Sequence, residues 1–239
     1  MDFTVFELIT VFVAIFFGAL VQGTIGFGLA IVAAPVLYLV TPELVPGSII
    51  LMAMLVGGLT AKQNLHAVKL NDLKSALMGR IPGSLLGAML LTMASHRTMG
   101  LFMGGSVLFA VLASLSPYKV QTNGKTLFSA GLLSGIMGTA SSIGGPPMAL
   151  VMQNQSGERI RANLSAYFVV SAVISLSILA WSGQFGWLQL KYGLMFVPCV
   201  LAGNLVARKL VPYVDQAMIR KALLMLCSVA GIGAIVSAI

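Results

Sequence analysis

The sequence is short of charge, and of acid above all. Only 8% of its 239 residues are charged and Asp and Glu together number 6, whereas an average soluble domain is about 25% charged. Cysteine and histidine each number 2, which argues against a disulfide framework and gives no convincing ligand set for a metal. We therefore expect no metal and no cofactor. With 58% of its residues hydrophobic, the chain is predicted to be an all-α integral membrane protein, a polytopic helical bundle.

Ten apolar segments follow one another along this membrane domain. A membrane-spanning helix needs about 20 mostly apolar residues, and the second, sixth and seventh segments are short. The first two segments and the sixth and seventh each form either two crossings or one re-entrant hairpin, so eight or ten crossings remain open. The segments are 4–22, 25–41, 46–64, 73–93, 98–115, 125–139, 143–154, 163–182, 187–207 and 216–238.

The basic residues indicate the orientation, because cytoplasmic loops of membrane proteins are enriched in lysine and arginine. With the N-terminus outside, most of the 14 basic residues fall on the inner side. This arrangement predicts that both termini lie on the outer side of the membrane. It also explains the net charge of +8 without nucleic acid as a partner. Asp2 and Glu7 argue against a cleaved signal peptide, which begins with a basic region.

Glycine and proline recur at nearly constant offsets, which indicates an internal duplication. Five segments per half is an odd number, so the second half would enter the membrane from the opposite side. We therefore predict two inverted repeats, residues 1–120 and 121–239, with broken or re-entrant helices at corresponding places. The matches at an offset of 112 are Gly23 with Gly135, Gly26 with Gly138 and Pro35 with Pro147, and those at 116 are Pro82 with Pro198 and Gly87 with Gly203.

Two stretches, 23–28 and 138–147, are too rich in glycine and proline to continue as helices. A helix N-terminus exposed at such a break favours an anion, although tight packing through small residues is the alternative. Arg80 is the only charge well inside an apolar segment, and it either attracts an anion or extends to the interface. No carboxylate lies mid-membrane, which disfavours a cation carrier. The predicted substrate-binding residues are Gln22, Gly23, Thr24, Gly26, Gly28, Arg80, Gly138, Thr139, Ser141, Ser142, Gly144, Gly145 and Pro146.

With the repeat and both breaks identified, the chain resembles the TauE/SafE sulfite exporter family of bacterial membrane permeases. The resemblance implies an inner-membrane permease built from a duplicated unit, for small sulfur-containing or organic anions such as sulfite or a sulfonate. Many members have more glycines at the first break, where this chain reads Gly-Phe-Gly-Leu. The stretches that carry the resemblance are 23–28 followed by Pro35, 79–87, 138–147 and 161–164.

We therefore expect a secondary transporter that alternates access to a midplane site. Its partners would be a small anionic solute and the lipid bilayer, and a homodimer is left open. A passive anion channel and a membrane scaffold without transport are the alternatives. An enzyme is disfavoured, because the membrane segments lack an acid, base or metal set.

Overall fold

The computed structural model describes residues 4–69, 73–115, 120–153 and 155–210, together with residues 232, 235 and 236. Within these ranges the chain is helical and contains no β-strand. The tenth predicted segment, 216–238, lies almost wholly outside the described residues. The described helices are α1 (Val5–Ile25), α2 (Leu29–Val40), α3 (Gly47–Gln63), α4 (Lys74–Met93), α5 (His96–Leu115), α6 (Gly124–Ser141), α7 (Gly145–Met152), α8 (Gly157–Trp181), α9 (Trp187–Met195) and α10 (Val197–Leu210).

The first eight predicted segments each correspond to one helix, and the ninth, 187–207, consists of two helices, α9 and α10. The chain bends there by 45° between α9 and α10. Pro198 follows the bend, and a proline lacks the backbone N–H that a continuous helix needs and clashes with the preceding turn. Pro35 and Pro82, in contrast, lie within α2 and α4 without ending them.

Several helices suit a membrane by length and composition. In the described residues α1, α4 and α8 are long and apolar enough to cross it, and the bent pair α9–α10 would make a fourth span. Helices α2 and α3 and most of α5 are apolar but shorter. This set of helices is that of a multi-pass membrane protein.

The loops gather at two opposite ends of the bundle. At one end the Lys69 backbone N–H donates to Asn163 at 2.8 Å, and the Thr122 hydroxyl donates to the Val151 carbonyl at 2.7 Å. We call this the basic end, because it carries Lys62, Lys69, Lys74, Lys125, Arg159 and Arg161. At the cavity end, the loops after α2, α4 and α8 surround a cavity of about 420 Å³.

Glycines hold α4 and α6 in backbone contact. A Cβ atom on Gly79, Gly83 or Gly87 would collide with the backbone of α6, and one on Gly131 or Gly135 would collide with that of α4. On both helices these glycines are four residues apart, so they share one face. Close approach through small residues is a common way for membrane helices to associate. Because of this contact, the backbone around Arg80 lies directly against α6.

Helices α1 and α10 pack against each other at positions that correspond to those of the contact between α6 and α4. A Cβ atom on Gly87 of α4 would lie 3.1 Å from the Gly135 carbonyl oxygen of α6, and one on Gly203 of α10 would lie 2.9 Å from the Cβ of Ala19 in α1. Gly203 follows Gly87 by 116 residues, and Gly135 follows Ala19 by the same number. In both pairs, a late helix from one half of the sequence packs against the first helix of the other half: α4 against α6, and α10 against α1.

Candidate functional site

The first break, Gly26–Gly28, separates α1 from α2. Gly26 and Gly28 have φ angles of 98° and 131°, which side chains other than hydrogen rarely allow. Helix α2 then folds back along α1, because a Cβ on Gly18 would lie only 2.8 Å from the Leu29 carbonyl oxygen. Gln22 closes this turn: it donates to the Ala53 carbonyl at 2.8 Å and accepts from the Leu29 backbone N–H at 3.3 Å. Both the nitrogen and the oxygen of its side-chain amide therefore make hydrogen bonds within the protein.

The second break, residues 142–144, separates α6 from α7. Ser142 ends α6 in the left-handed region, with φ of 68°, and Gly144 precedes α7. The Ser134 hydroxyl donates to the Gly144 carbonyl at 2.6 Å, so α7 folds back beside the middle of α6. Ser134 lies ten residues after Gly124, or roughly 15 Å along the helix. The N-terminus of α7 therefore lies inside the bundle, away from the basic end.

The two breaks correspond at an offset of 116 residues. Gly26 and Ser142 end their helices in the same left-handed conformation, and Gly28 and Gly144 precede the next helices. The offset of 112 suggested by Gly26 and Gly138 differs from this, because Gly138 still lies inside α6. The predicted stretches 23–28 and 138–147 were also too wide, since most of their residues continue the flanking helices.

The side chain of Arg80 lies beside the second break. Its side chain extends from α4 between α6 and α8, and only 3% of the residue is exposed. Nη1 donates to the carbonyl and hydroxyl oxygens of Ser134 at 2.5 and 2.9 Å, and Nη2 donates to the Ser175 hydroxyl at 2.8 Å. A Cβ on Gly138 would lie 2.8 Å from both Nη atoms, and one on Gly144 would lie 2.9 Å from Nη1. The guanidinium thus occupies space that these glycines leave free.

Among the described residues, only neutral groups contact this buried charge. Over the described ranges the one ion pair joins His66 to Glu158 at 2.9 Å on the surface of the basic end. The Nε of Arg80 has no hydrogen-bond partner among the described residues. Burying a cation without a counter-charge is costly. A buried guanidinium surrounded by hydroxyls and carbonyls is therefore suited to bind an anion.

Several predicted hydroxyls are engaged by the protein itself. Thr24 and Ser141 donate to carbonyls of their own helices, Val21 and Met137, at 2.8 Å each. The Ser142 hydroxyl donates to a carbonyl at the start of α3 at 3.1 Å. Thr139 differs, because its hydroxyl lies 2.8 Å from that of Ser175, which also accepts from Arg80.

The remaining predicted residues are packing positions. A Cβ on Gly23 would lie 2.7 Å from α10, and one on Gly145 would lie 2.7 Å from the ring of Phe27. Pro146 is buried in the first turn of α7. The Phe27 contact joins the tips of the two breaks. The structure therefore brings Arg80, Gly138, Thr139 and Gly144 together and places Gln22, Gly23, Thr24, Gly26 and Gly28 around the neighbouring first break.

The sequence analysis missed a row of polar side chains on α8. Asn163, Tyr167, Ser171 and Ser175 are each four residues apart and at most 1% exposed, so they lie on one buried face of the helix. Ser175 contacts Arg80 directly. The spacing of these residues in an otherwise apolar segment was the signal that could have identified them.

The helices and their buried polar centre define a multi-pass helical membrane protein. Within that class the chain belongs to the TauE/SafE sulfite exporter family, whose family model, Sulfite exporter TauE/SafE, matches residues 11–234. Membership makes it a transporter rather than an enzyme, with a small solute and the bilayer as partners. No curated protein and no solved structure matches it significantly.

Proposed function

We propose that the protein is a secondary transporter that moves a small sulfur-containing or organic anion, such as sulfite or a sulfonate, across the bacterial inner membrane. The observation that carries this proposal is Arg80, a buried cation at the second break with no carboxylate partner in the described residues. The N-terminus of α7 adds backbone dipoles of the same sign. An anion would supply the charge that the surrounding hydroxyls do not.

The proposed carrier consists of two inverted repeats, residues 1–120 and 121–239. The corresponding breaks and the exchanged contacts of Gly87 and Gly203, all at an offset of 116, support this architecture. In such transporters the site lies where broken helices of the two repeats meet, and one repeat moves against the other. The contact of Phe27 with Gly145 is such a meeting point.

The proposed orientation has the basic end in the cytoplasm and the cavity end in the periplasm, which places both termini outside. The positive-inside rule supports it, because the lysines and arginines cluster at one end. The cavity extends from the loop around Glu43 to Ala140, near the tip of the second break, and Arg80 is not among its lining residues. A cavity that does not reach Arg80 suits a carrier better than an open channel.

Replacement of Arg80 by glutamine tests the proposal. The variant is reconstituted in proteoliposomes, and the uptake of radiolabelled sulfite, methanesulfonate and acetate is measured with and without a pH gradient. Arg97→Gln, which removes an exposed arginine at the start of α5, is the matched control. We expect Arg80→Gln to abolish uptake and Arg97→Gln to leave it unchanged.

Thermal unfolding of the same variants separates a role in transport from a role in folding. If Arg80 serves the substrate, relief of the buried charge offsets the lost hydrogen bonds, and the melting temperature of Arg80→Gln stays close to that of the wild type. If Arg80 serves the fold, loss of its hydrogen bonds lowers the melting temperature. Wild-type uptake of an anion by Arg80→Gln would refute the proposed site, and absence of uptake of every anion by well-folded wild-type protein would refute the anion as substrate.

A further inference from the structure

The two sides of the Arg80 guanidinium have different surroundings. Its Nη atoms are held by Ser134 and Ser175. Its Nε is buried and has no hydrogen-bond partner in the part of the chain that the structure describes. A guanidinium binds oxyanions in a bidentate manner through adjacent N–H groups. The Nε side is therefore the side on which Arg80 still has an N–H group to donate.

Tyr167 supplies a second unused donor near this side. The residue is completely buried in a cluster with Met148 of α7 and Leu127 of α6. Its hydroxyl lies beside the Arg80 side chain, within range of a weak hydrogen bond. That contact falls outside regular hydrogen-bond geometry, and the hydroxyl has no regular hydrogen-bond partner among the described residues. A buried hydroxyl that donates to nothing destabilises the fold, so such groups are rare without a reason.

Ser171 adds a third unused hydroxyl. It is 1% exposed and, over the ranges described, makes no hydrogen bond. It lies one turn from Tyr167 and one turn from Ser175 on the same face of α8. Because Arg80 interacts with both of these neighbours, Ser171 lies between two residues that face the guanidinium.

We propose that the Nε of Arg80 and the hydroxyls of Tyr167 and Ser171 together bind the oxygens of the transported anion. This inference rests on the proposed function and specifies the site: the anion lies between α4 and α8. The hydroxyls of Thr24, Ser141 and Ser142 are already used by the protein and do not contact it. Three donors that converge from two helices favour a substrate with several acceptor oxygens, such as sulfite or a sulfonate, over a halide.

Tyr167→Phe and Ser171→Ala test the site in proteoliposomes. Each change removes one hydroxyl and preserves the shape of the side chain, so folding should be kept. Ser165→Ala is the matched control, because Ser165 is a buried serine of α8 whose hydroxyl also has no partner among the described residues, but its backbone faces Gly57 of α3. Concentration dependence of radiolabelled sulfite uptake gives KM and maximal rate for every variant.

We expect Tyr167→Phe to raise KM for sulfite by about tenfold or more, as for loss of a hydrogen bond to a charged ligand. Ser171→Ala should raise it less, and Ser165→Ala should leave it unchanged. Competition with methanesulfonate should weaken in parallel with sulfite binding in Tyr167→Phe, whereas competition with chloride should not, because a halide needs fewer donors. Folding is checked by the melting temperature, which should not fall in Tyr167→Phe.

Three results would overturn the inference. If the wild-type protein takes up sulfite and both Tyr167→Phe and Ser171→Ala retain its KM, the anion binds elsewhere while the proposed function stands. If wild-type protein takes up no anion, the proposed function fails and this site fails with it. A fall in maximal rate with unchanged KM and a lowered melting temperature would assign Tyr167 to folding and would also refute the site.

Discussion

Gly138 is the position at which one added methyl group should affect transport most directly. It lies in the interior of α6, and its Cα faces the guanidinium of Arg80. A Cβ there would lie 2.8 Å from Nη1 and Nη2 and 3.2 Å from Cζ. A free arginine side chain would move away at little cost. Here the guanidinium is held by Ser134 and Ser175, so Gly138→Ala requires those hydrogen bonds to break or lengthen.

The size of the effect follows from these bonds. A hydrogen bond to a charged group contributes about 1.5–3 kcal/mol. Displacement of the guanidinium that costs one or two such bonds is therefore worth about 3 kcal/mol, or roughly a hundredfold in an equilibrium constant. Helix propensity works in the opposite direction, because alanine is better than glycine in a helix by about 1 kcal/mol. The fold should thus survive while the site is lost.

Two other glycines serve as controls for Gly138→Ala. Gly105 of α5 has open space around it, so Gly105→Ala should change neither folding nor uptake. Gly131 is in backbone contact with Ala76 of α4, so Gly131→Ala should reduce the amount of folded protein. Uptake of sulfite, normalised to folded protein in the proteoliposomes, is the measurement. Wild-type KM and rate in a folded Gly138→Ala variant would show that the position of Arg80 does not matter for transport.

Two further predictions concern the first break and the orientation. Gln22→Leu leaves the Leu29 N–H and the Ala53 carbonyl unpaired, so it should lower the free energy of unfolding by about 2 kcal/mol or more. The measurement is denaturation in detergent, and an unchanged free energy of unfolding would mean that water replaces the amide. In a cysteine-free background, Lys69→Cys should react with a membrane-impermeant thiol reagent only from the inside and Gln184→Cys only from the outside, and the reverse pattern would invert the proposed orientation.

The sequence predicted much of the site, because a charge or a helix break in an apolar chain is conspicuous. Arg80 stood out as the one charge well inside a segment, and the glycine-rich stretches indicated both breaks. What the sequence did not reveal was that Arg80 and the second break meet. That meeting depends on the contact of α4 with α6, and glycine patterns do not specify which helix they face. The hydroxyls of Tyr167 and Ser171, which we propose to bind the anion, were missed for a related reason, since their position near Arg80 depends on the packing of α8 against α4.

The sequence by itself determined the class of the protein, the approximate positions of nine of its segments, the clustering of basic residues and the two helix breaks. These features are local, because apolar length, charge placement and the backbone freedom of glycine act within a few residues. The tertiary structure alone decided that α9 and α10 bend apart, that the breaks correspond at an offset of 116, and which buried hydroxyls of the described residues lack a hydrogen-bond partner. Those features arise from packing between distant segments, and no local pattern encodes which buried hydroxyl finds a partner.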